Sequence, residues 1–96
     1  MYVFEYGADA LKFISKLSAD DKQIVKEAIE LCLGTYLKKR TKRCNKKSLK
    51  GSKHKTYRFH ISMKYTLFYR IDDENERVVI VDVMGINQAH SKYGLF

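Results

Sequence analysis

The chain has no acidic side chain along its middle, because residues 31–71 contain neither aspartate nor glutamate. The same window holds 13 of the 19 lysine and arginine residues, while all 11 acidic residues lie on either side of it. A basic centre of this kind attracts polyanions and releases counterions when phosphates bind. A solvated loop would also explain the lysines between residues 38 and 55. We favour an anionic partner because this basic run adjoins Arg58 and His60.

Long apolar runs and targeting signals are missing as well. No segment approaches the roughly 20 apolar residues that cross a bilayer. Glu5 and Asp9 interrupt the start of the chain, where a signal peptide would be apolar. Proline, internal repeats and low-complexity segments are also absent. We therefore expect residues 1–96 to form a single domain that acts in the cytoplasm and has no membrane partner.

Cysteine is scarce, and the two that occur do not make a disulfide framework. Cys32 falls on the apolar stripe of a predicted helix, whereas Cys44 lies inside the basic run. We expect one buried and one exposed thiol, both reduced. A zinc site that uses Cys44, His54 and His60 is a weaker alternative, because no CxxC or HxxxH spacing supports it. We predict no metal and no cofactor.

Hydrophobic periodicity predicts a first strand followed by two helices. Residues 2–6 are rich in aromatic and branched side chains, and Gly7 ends the strand. Apolar residues with helical spacing continue from Ala8 to Leu17. Ser18 can cap a second helix, which we expect to end near Lys38. The two helices should form an antiparallel hairpin that packs on one face of a sheet.

Alternating side chains predict a β-hairpin beginning at residue 57. One face of its first strand is apolar and should meet the core: Tyr57, Phe59, Ile61 and Met63. The opposite face is polar: Arg58, His60, Ser62 and Lys64. The second strand repeats the alternation with Tyr65, Leu67, Tyr69 and Ile71. This polar face is the best candidate for a functional site.

The most strand-like segment of the chain covers residues 77–83. It is apolar on both faces apart from Asp82, which is typical of a strand inside a sheet. Gly85 ends it, and a polar tail follows. The fold class is therefore α+β, with a mostly antiparallel four-stranded sheet, an N-terminal two-helix hairpin on one face and β-α-α-β-β-β order.

Four short motifs follow one another in the second half of the chain: Leu49-x-Gly51, Tyr57-Arg58-x-His60, Tyr65-x-x-x-Tyr69-Arg70-Ile71-Asp72-Asp73 and Val81-x-Val83-x-Gly85. In this order and spacing they resemble the RelE/ParE toxin superfamily, in particular the RelE-like endoribonucleases of toxin–antitoxin pairs. The resemblance implies a toxin that cuts mRNA in the ribosomal A site without a metal. It also implies an antitoxin chain that wraps and silences the toxin.

The resemblance also implies roles for individual residues. Arg58 and His60 occupy strand positions where the family has basic catalytic residues. Tyr93 matches a tail tyrosine, and His90 lies near the place where some members have a catalytic histidine. Thr66 and Asn87 depart from the pattern, since the family has arginines at both places.

Metal-free RNA cleavage uses the ribose 2′-hydroxyl to attack the adjacent phosphate, and it needs a base, an acid and cations. We assign the general base, which takes the proton of the 2′-hydroxyl, to His60 or His90. The general acid, which protonates the departing 5′-oxygen, would be Tyr93 or the other histidine. Arg58 would stabilise the phosphorane with help from Lys64 or Lys55. Tyr93 could instead stack on a base of unpaired RNA. The bland alternatives are a solvated strand histidine at position 60 and a tail packed over the sheet edge at positions 90 and 93.

The expected partners are anionic or complementary to the basic centre. We predict that mRNA and ribosomal RNA bind to lysines that flank or lie in the hairpin: Lys47, Lys50, Lys53, Lys55 and Lys64. A cognate antitoxin, acidic and partly helical, is also expected. Because two family cations are missing, we keep open a ParE-type poison of DNA gyrase and a catalytically impaired RNA-binding protein.

Overall fold

A five-stranded β-sheet organises the fold. The computed structural model describes residues 2–39, 41–49 and 55–91. The strands are β1 Val3–Tyr6, β2 Lys47–Ser48, β3 Tyr57–Ile61, β4 Tyr65–Asp72 and β5 Arg77–Gly85. Their spatial order is β1-β5-β4-β3-β2, with β1 parallel to β5 and all other neighbours antiparallel. The predicted α+β class is confirmed, and the two-residue β2 adds a fifth strand at the sheet edge.

In the described part of the chain, three α-helices accompany the sheet: α1 Ala8–Ser15, α2 Ala19–Ile29 and α3 Ile86–His90. The predicted cap of α2 is present, because Ser18 Oγ accepts a hydrogen bond from the backbone N–H of Asp21. A π-helical segment, Glu30–Thr35, continues α2. Within the described residues, no helix has the length and apolar character that a membrane crossing requires.

The main core lies between the sheet and the two N-terminal helices. Its buried side chains come from β3, β4 and β5 on one side and from α2 and its π-helical extension on the other: Phe59, Leu67, Tyr69, Val78, Ile80, Val25, Ile29 and Leu33. Burial of one such side chain contributes about 1.5–3 kcal/mol. The core therefore fixes which faces of β3 and β4 point away from the helices.

The hairpin between β3 and β4 turns through two residues with left-handed backbone. Ser62 has φ 53° and Met63 has φ 56°, and the Lys64 N–H donates to the Ile61 carbonyl at 3.0 Å. Two positive φ values across such a bond are typical of a type I′ turn. Met63 is 85% exposed, so the prediction that it faces the core is wrong. The turn takes Met63 out of the strand alternation.

The second face of the sheet carries a small apolar cluster of its own. Phe68, Met84 and Ala89 are buried there, with Leu49 and Val81 packed against them. The short helix α3, which lies in the predicted polar tail, covers this cluster. On this same face, the region formed by β2 and β3 carries the polar side chains.

The two cysteines form a disulfide, so the prediction of two reduced thiols is wrong. The Cα atoms of Cys32 and Cys44 are 5.7 Å apart, within the range that a disulfide requires. Cys44 is only 1% exposed. Its basic neighbours in sequence suggested a surface position, but the turn closed by the Cys44 N–H on the Thr41 carbonyl directs Cys44 inward.

One lysine of the basic run has a structural role. Lys46 Nζ donates to the backbone carbonyls of Tyr36 and Leu37, which follow the π-helical segment. Burial lowers the pKa of this ammonium group. Lys46 therefore ties the basic loop to the end of the second helix.

We expect Lys46→Ala to lower the free energy of unfolding by about 1–2 kcal/mol, because two carbonyls lose a charged donor. Lys42→Ala is the matched control, since Lys42 is an exposed lysine of the same loop. Urea unfolding of both variants measures the difference. Equal midpoints for the two variants would contradict this role for Lys46.

Candidate functional site

The polar side chains of β3 lie on the sheet face that points away from the main core. Arg58 and His60 are neighbours on this face, and Arg58 Nη1 lies 3.2 Å from His60 Nε2. Both side chains are half-buried. A guanidinium group and an imidazole therefore form one hydrogen-bonded pair at the surface of the sheet.

Thr66 completes this pair from the neighbouring strand. It stands directly opposite His60 in the register of β3 and β4, and its Oγ1 lies 2.8 Å from His60 Nδ1. Thr66 is fully buried. We call Arg58, His60 and Thr66 the histidine triad of the sheet, a name that refers only to their hydrogen bonds.

The chemistry of the neighbours determines the protonation of the imidazole. A guanidinium group only donates hydrogen bonds, so His60 Nε2 must accept. A neutral imidazole then carries its proton on Nδ1, which donates to the Thr66 hydroxyl. The tautomer is thus assigned from the hydrogen-bond partners.

The electrostatic surroundings keep this imidazole neutral. Burial lowers the pKa of His60, and the positive charges of Arg58, His90 and Lys47 lower it further. A smaller contribution in the opposite direction comes from the backbone of Tyr65. At neutral pH the group is therefore prepared to take up a proton rather than to give one away.

Two further cations border the triad. Lys47 on β2 pairs in register with Arg58 and is exposed. Arg70 lies on the same face of β4, two positions beyond Phe68, and its Nε donates to Thr56 Oγ1 at 3.1 Å. Arg70 belongs to one of the sequence motifs but is not among the predicted site residues. The alternation of β4 from Thr66 carried the necessary signal.

The other predicted site residues lie in different places. His90 is the exposed last residue of α3, close enough for its charge to act on His60. Lys64 Nζ is 3.7 Å from Asp21 Oδ1 at the start of α2. Lys55 Nζ lies 5.7 Å from the centre of the Tyr57 ring, which packs against the main core. The Lys64 and Lys55 ammonium groups are thus directed away from the triad.

Three predicted residues, Tyr93, Lys50 and Lys53, lie outside the described residues. The same holds for His54 of the weaker zinc alternative. Within the described ranges, no three histidine, cysteine, aspartate or glutamate side chains are grouped as a metal site would require. The sulfur of Cys44 is bonded to Cys32.

An open groove runs along the basic loop beside β2. It has a volume of about 610 Å³, and its lining comes from one stretch of the chain: Thr41, Lys42, Asn45, Lys46, Lys47 and Ser48. A smaller groove of about 200 Å³ lies between α2 and β3, where Arg43 and His60 line it. Lys47, which lines the first groove, pairs in register with Arg58 on the next strand. This arrangement suits a polyanion that ends at the triad.

Comparisons with known proteins identify one family and one fold. A family model described as the ParE toxin of type II toxin–antitoxin systems (parDE) matches residues 5–88. The structure is similar to that of the intact E. coli RelBE toxin–antitoxin complex, with a TM-score of 0.67, 23% identity, and coverage of 88% of this chain and 96% of that chain. No curated protein matches by sequence.

Two further solved structures have the same fold. A RelBE toxin–antitoxin complex from Mycobacterium tuberculosis matches with a TM-score of 0.59 and 26% identity over 88% of this chain and 96% of that chain. An archaeal RelE–RelB complex from Pyrococcus horikoshii matches with a TM-score of 0.69 and 13% identity over 88% of this chain and 93% of that chain. The architecture is thus shared across widely diverged sequences.

Proposed function

This chain belongs to the ParE toxin family of type II toxin–antitoxin systems, and within that family we propose that it is a ribosome-dependent endoribonuclease. It cleaves mRNA by metal-free attack of a ribose 2′-hydroxyl. The observation that carries the proposal is the pair of hydrogen bonds that joins His60 to Arg58 and Thr66 on the polar sheet face. That arrangement supplies a neutral imidazole beside a phosphate-binding guanidinium.

In the proposed reaction the substrate rearranges this pair. The forked donors of Arg58 bind the scissile phosphate, because a guanidinium binds a phosphate more strongly than a neutral imidazole. His60 Nε2 then takes the proton of the 2′-hydroxyl. The 2′-oxygen forms a bond to phosphorus, and the bond from phosphorus to the 5′-oxygen breaks. Arg58 stabilises the crowded phosphorane.

The departing 5′-oxygen needs a proton from a second group. His90 is one candidate, because it lies at the end of α3 within electrostatic reach of His60. Tyr93 is the other, on the basis of the family resemblance. Either side chain would donate this proton as the general acid of the reaction.

Binding of RNA is assigned to cations around the triad. Lys47 and Arg70 flank Arg58 on its own face. The other predicted lysines, Lys50, Lys53, Lys55 and Lys64, are proposed to contact mRNA or ribosomal RNA away from the triad. Phosphate contacts of this kind contribute affinity without reading sequence.

We also propose a cognate antitoxin as a partner. The similar structures from E. coli, M. tuberculosis and P. horikoshii are complexes of a toxin with its antitoxin. The acid-free window at residues 31–71 favours an acidic antitoxin. A gene for a small acidic protein beside this one is the expected arrangement.

A second candidate function is a non-enzymatic poison of DNA gyrase. The matching family model bears the ParE name, and Thr66 and Asn87 replace two cations that the RelE-like resemblance implies. Fold similarity does not choose between these activities, because one fold carries several functions. The choice is made by experiment.

Primer extension on ribosome-bound mRNA tests the proposal. We expect the protein to produce new 5′ ends within translated regions, because the released 5′-oxygen begins the downstream fragment. A double variant, His60→Ala with His90→Ala, should abolish these ends, while Gln88→Ala on the same helix should leave them unchanged. Intact mRNA together with loss of DNA supercoiling by gyrase would contradict the ribonuclease and support the second candidate.

A further inference from the structure

Thr66 is a buried polar residue on an inner strand of the sheet. Its neighbours in register are His60 on β3 and Met84 on β5. Thr66 is 0% exposed, and Met84 is 3% exposed. A hydroxyl in such a place needs a hydrogen-bond partner, and His60 Nδ1 at 2.8 Å supplies one.

The direction of this hydrogen bond is fixed from the other side of the ring. Arg58 Nη1 can only donate to His60 Nε2. If the Thr66 hydroxyl also donated, both ring nitrogens would have to accept a hydrogen bond. A neutral imidazole cannot do this, because one of its nitrogens carries a proton. Thr66 Oγ1 therefore accepts, and the ring proton is held on Nδ1.

We infer that Thr66 is a positioning residue that, together with Arg58, holds His60 in the Nδ1–H tautomer: Thr66 accepts from Nδ1–H, and Nε2 is left as the basic nitrogen. The inference rests on the proposed ribonuclease function for its catalytic consequence. The position where the RelE-like resemblance implies an arginine thus has a different role here. It sets the orientation and the tautomer of the imidazole instead of contacting phosphate.

The geometry makes the alternative tautomer unfavourable. A proton on Nε2 would face the Arg58 guanidinium, which also presents N–H groups. The positive charges of Arg58, Lys47 and His90, which lie on three different elements, all disfavour a doubly protonated ring. The neutral Nδ1–H form satisfies every contact at once.

Thr66→Val and Thr66→Ser form the matched pair of variants. Valine keeps the branched shape and removes the hydroxyl, whereas serine keeps the hydroxyl. The first measurement is the ¹⁵N NMR spectrum of the His60 ring in the protein without RNA. We expect Nδ1 to be protonated in the wild type and in Thr66→Ser, and the Nε2–H form to gain population in Thr66→Val.

The second measurement is the kinetics of RNA cleavage. We expect Thr66→Val to lower kcat by about tenfold or more with little change in KM, because the base is less often in its working form. Thr66→Ser should restore most of the rate. A merely structural role for Thr66 would instead lower the melting temperature and leave the tautomer unchanged.

The two measurements separate failure of this inference from failure of the proposed function. A wild-type ring protonated on Nε2 overturns the inference, and this test needs no variant to fold. Unchanged tautomer and unchanged kcat in a folded Thr66→Val also overturn it. A wild type that holds the Nδ1–H tautomer but never cleaves RNA would refute the proposed function alone.

Discussion

His60→Ala is expected to lower the rate of RNA cleavage by about 10²–10⁴-fold, the usual contribution of general acid–base catalysis. The loss should fall on kcat, because the imidazole acts on the 2′-hydroxyl and not on the phosphate that binds Arg58. Binding of ribosome-bound mRNA by the variant should change little. Single-turnover cleavage and a separate binding measurement distinguish the two effects.

The dependence of cleavage on pH gives this prediction a second readout. Burial and the charge of Arg58 lower the pKa of His60 below its ordinary value of 6.5. The acidic limb of the wild-type rate should therefore lie below pH 6.5, since the neutral ring is the base. His60→Ala should lose this acidic limb. A variant that retained both the rate and the limb would exclude His60 as the base.

The same shift has a consequence for stability. A histidine whose folded pKa is lowered stabilises the fold fully above its unfolded value of 6.5. The contribution is lost as the pH falls through the lower, folded value. His60→Ala should reduce this acid sensitivity, whereas Gln88→Ala should not. Urea unfolding at two pH values on either side of 6.5 compares them.

Removal of the disulfide is the prediction with the largest expected effect on stability. The bridged residues are 12 positions apart, and a loop of this size contributes about 3 kcal/mol through the unfolded chain. We expect reduction of the protein to lower its free energy of unfolding by about that amount. Unfolding in urea with and without a reducing agent measures it.

The matched control for reduction is a variant that lacks both sulfurs. Cys32→Ala with Cys44→Ala should resemble the reduced wild type and should no longer respond to the reducing agent. Amide hydrogen exchange should rise in residues 41–48, which the bridge holds against the helix. Identical midpoints for the oxidised and reduced wild type would show that the bridge does not stabilise the fold.

Much of the fold follows from local pattern alone. Helix periodicity, the cap at Ser18 and the alternation from Tyr57 are each encoded within a few neighbouring residues. The predictions that are wrong concern positions where a turn or a contact with a distant segment decides the structure. Cys44 lies among lysines in sequence, yet a turn directs it to Cys32. Met63 continues an apolar alternation, yet the chain turns there.

The site was predictable in part for the same reason. Arg58 and His60 lie two residues apart on one strand, so alternation places them on one face. In sequence Thr66 shows only as a missing cation, because its contact with His60 depends on the register between two strands. Arg70 shares that face, although it is not among the predicted site residues. Pairing across strands is set by the turn and the core, which the sequence alone does not display.

An irregularity in β5 decides on which side of the sheet α3 begins. Phe68 pairs with Asp82 while the next residue of β4 pairs with Ile80, so Val81 is an additional residue. Ile80 and Val83 both reach the main core as a result. In a regular strand Asp82 would point among the apolar side chains there, and Val83 would point away. Deletion of Val81 would keep the faces of the residues that follow it. Straightening β5 with every residue kept would instead exchange those faces and carry α3 away from its present side of the sheet. His90 would then leave the side on which His60 lies.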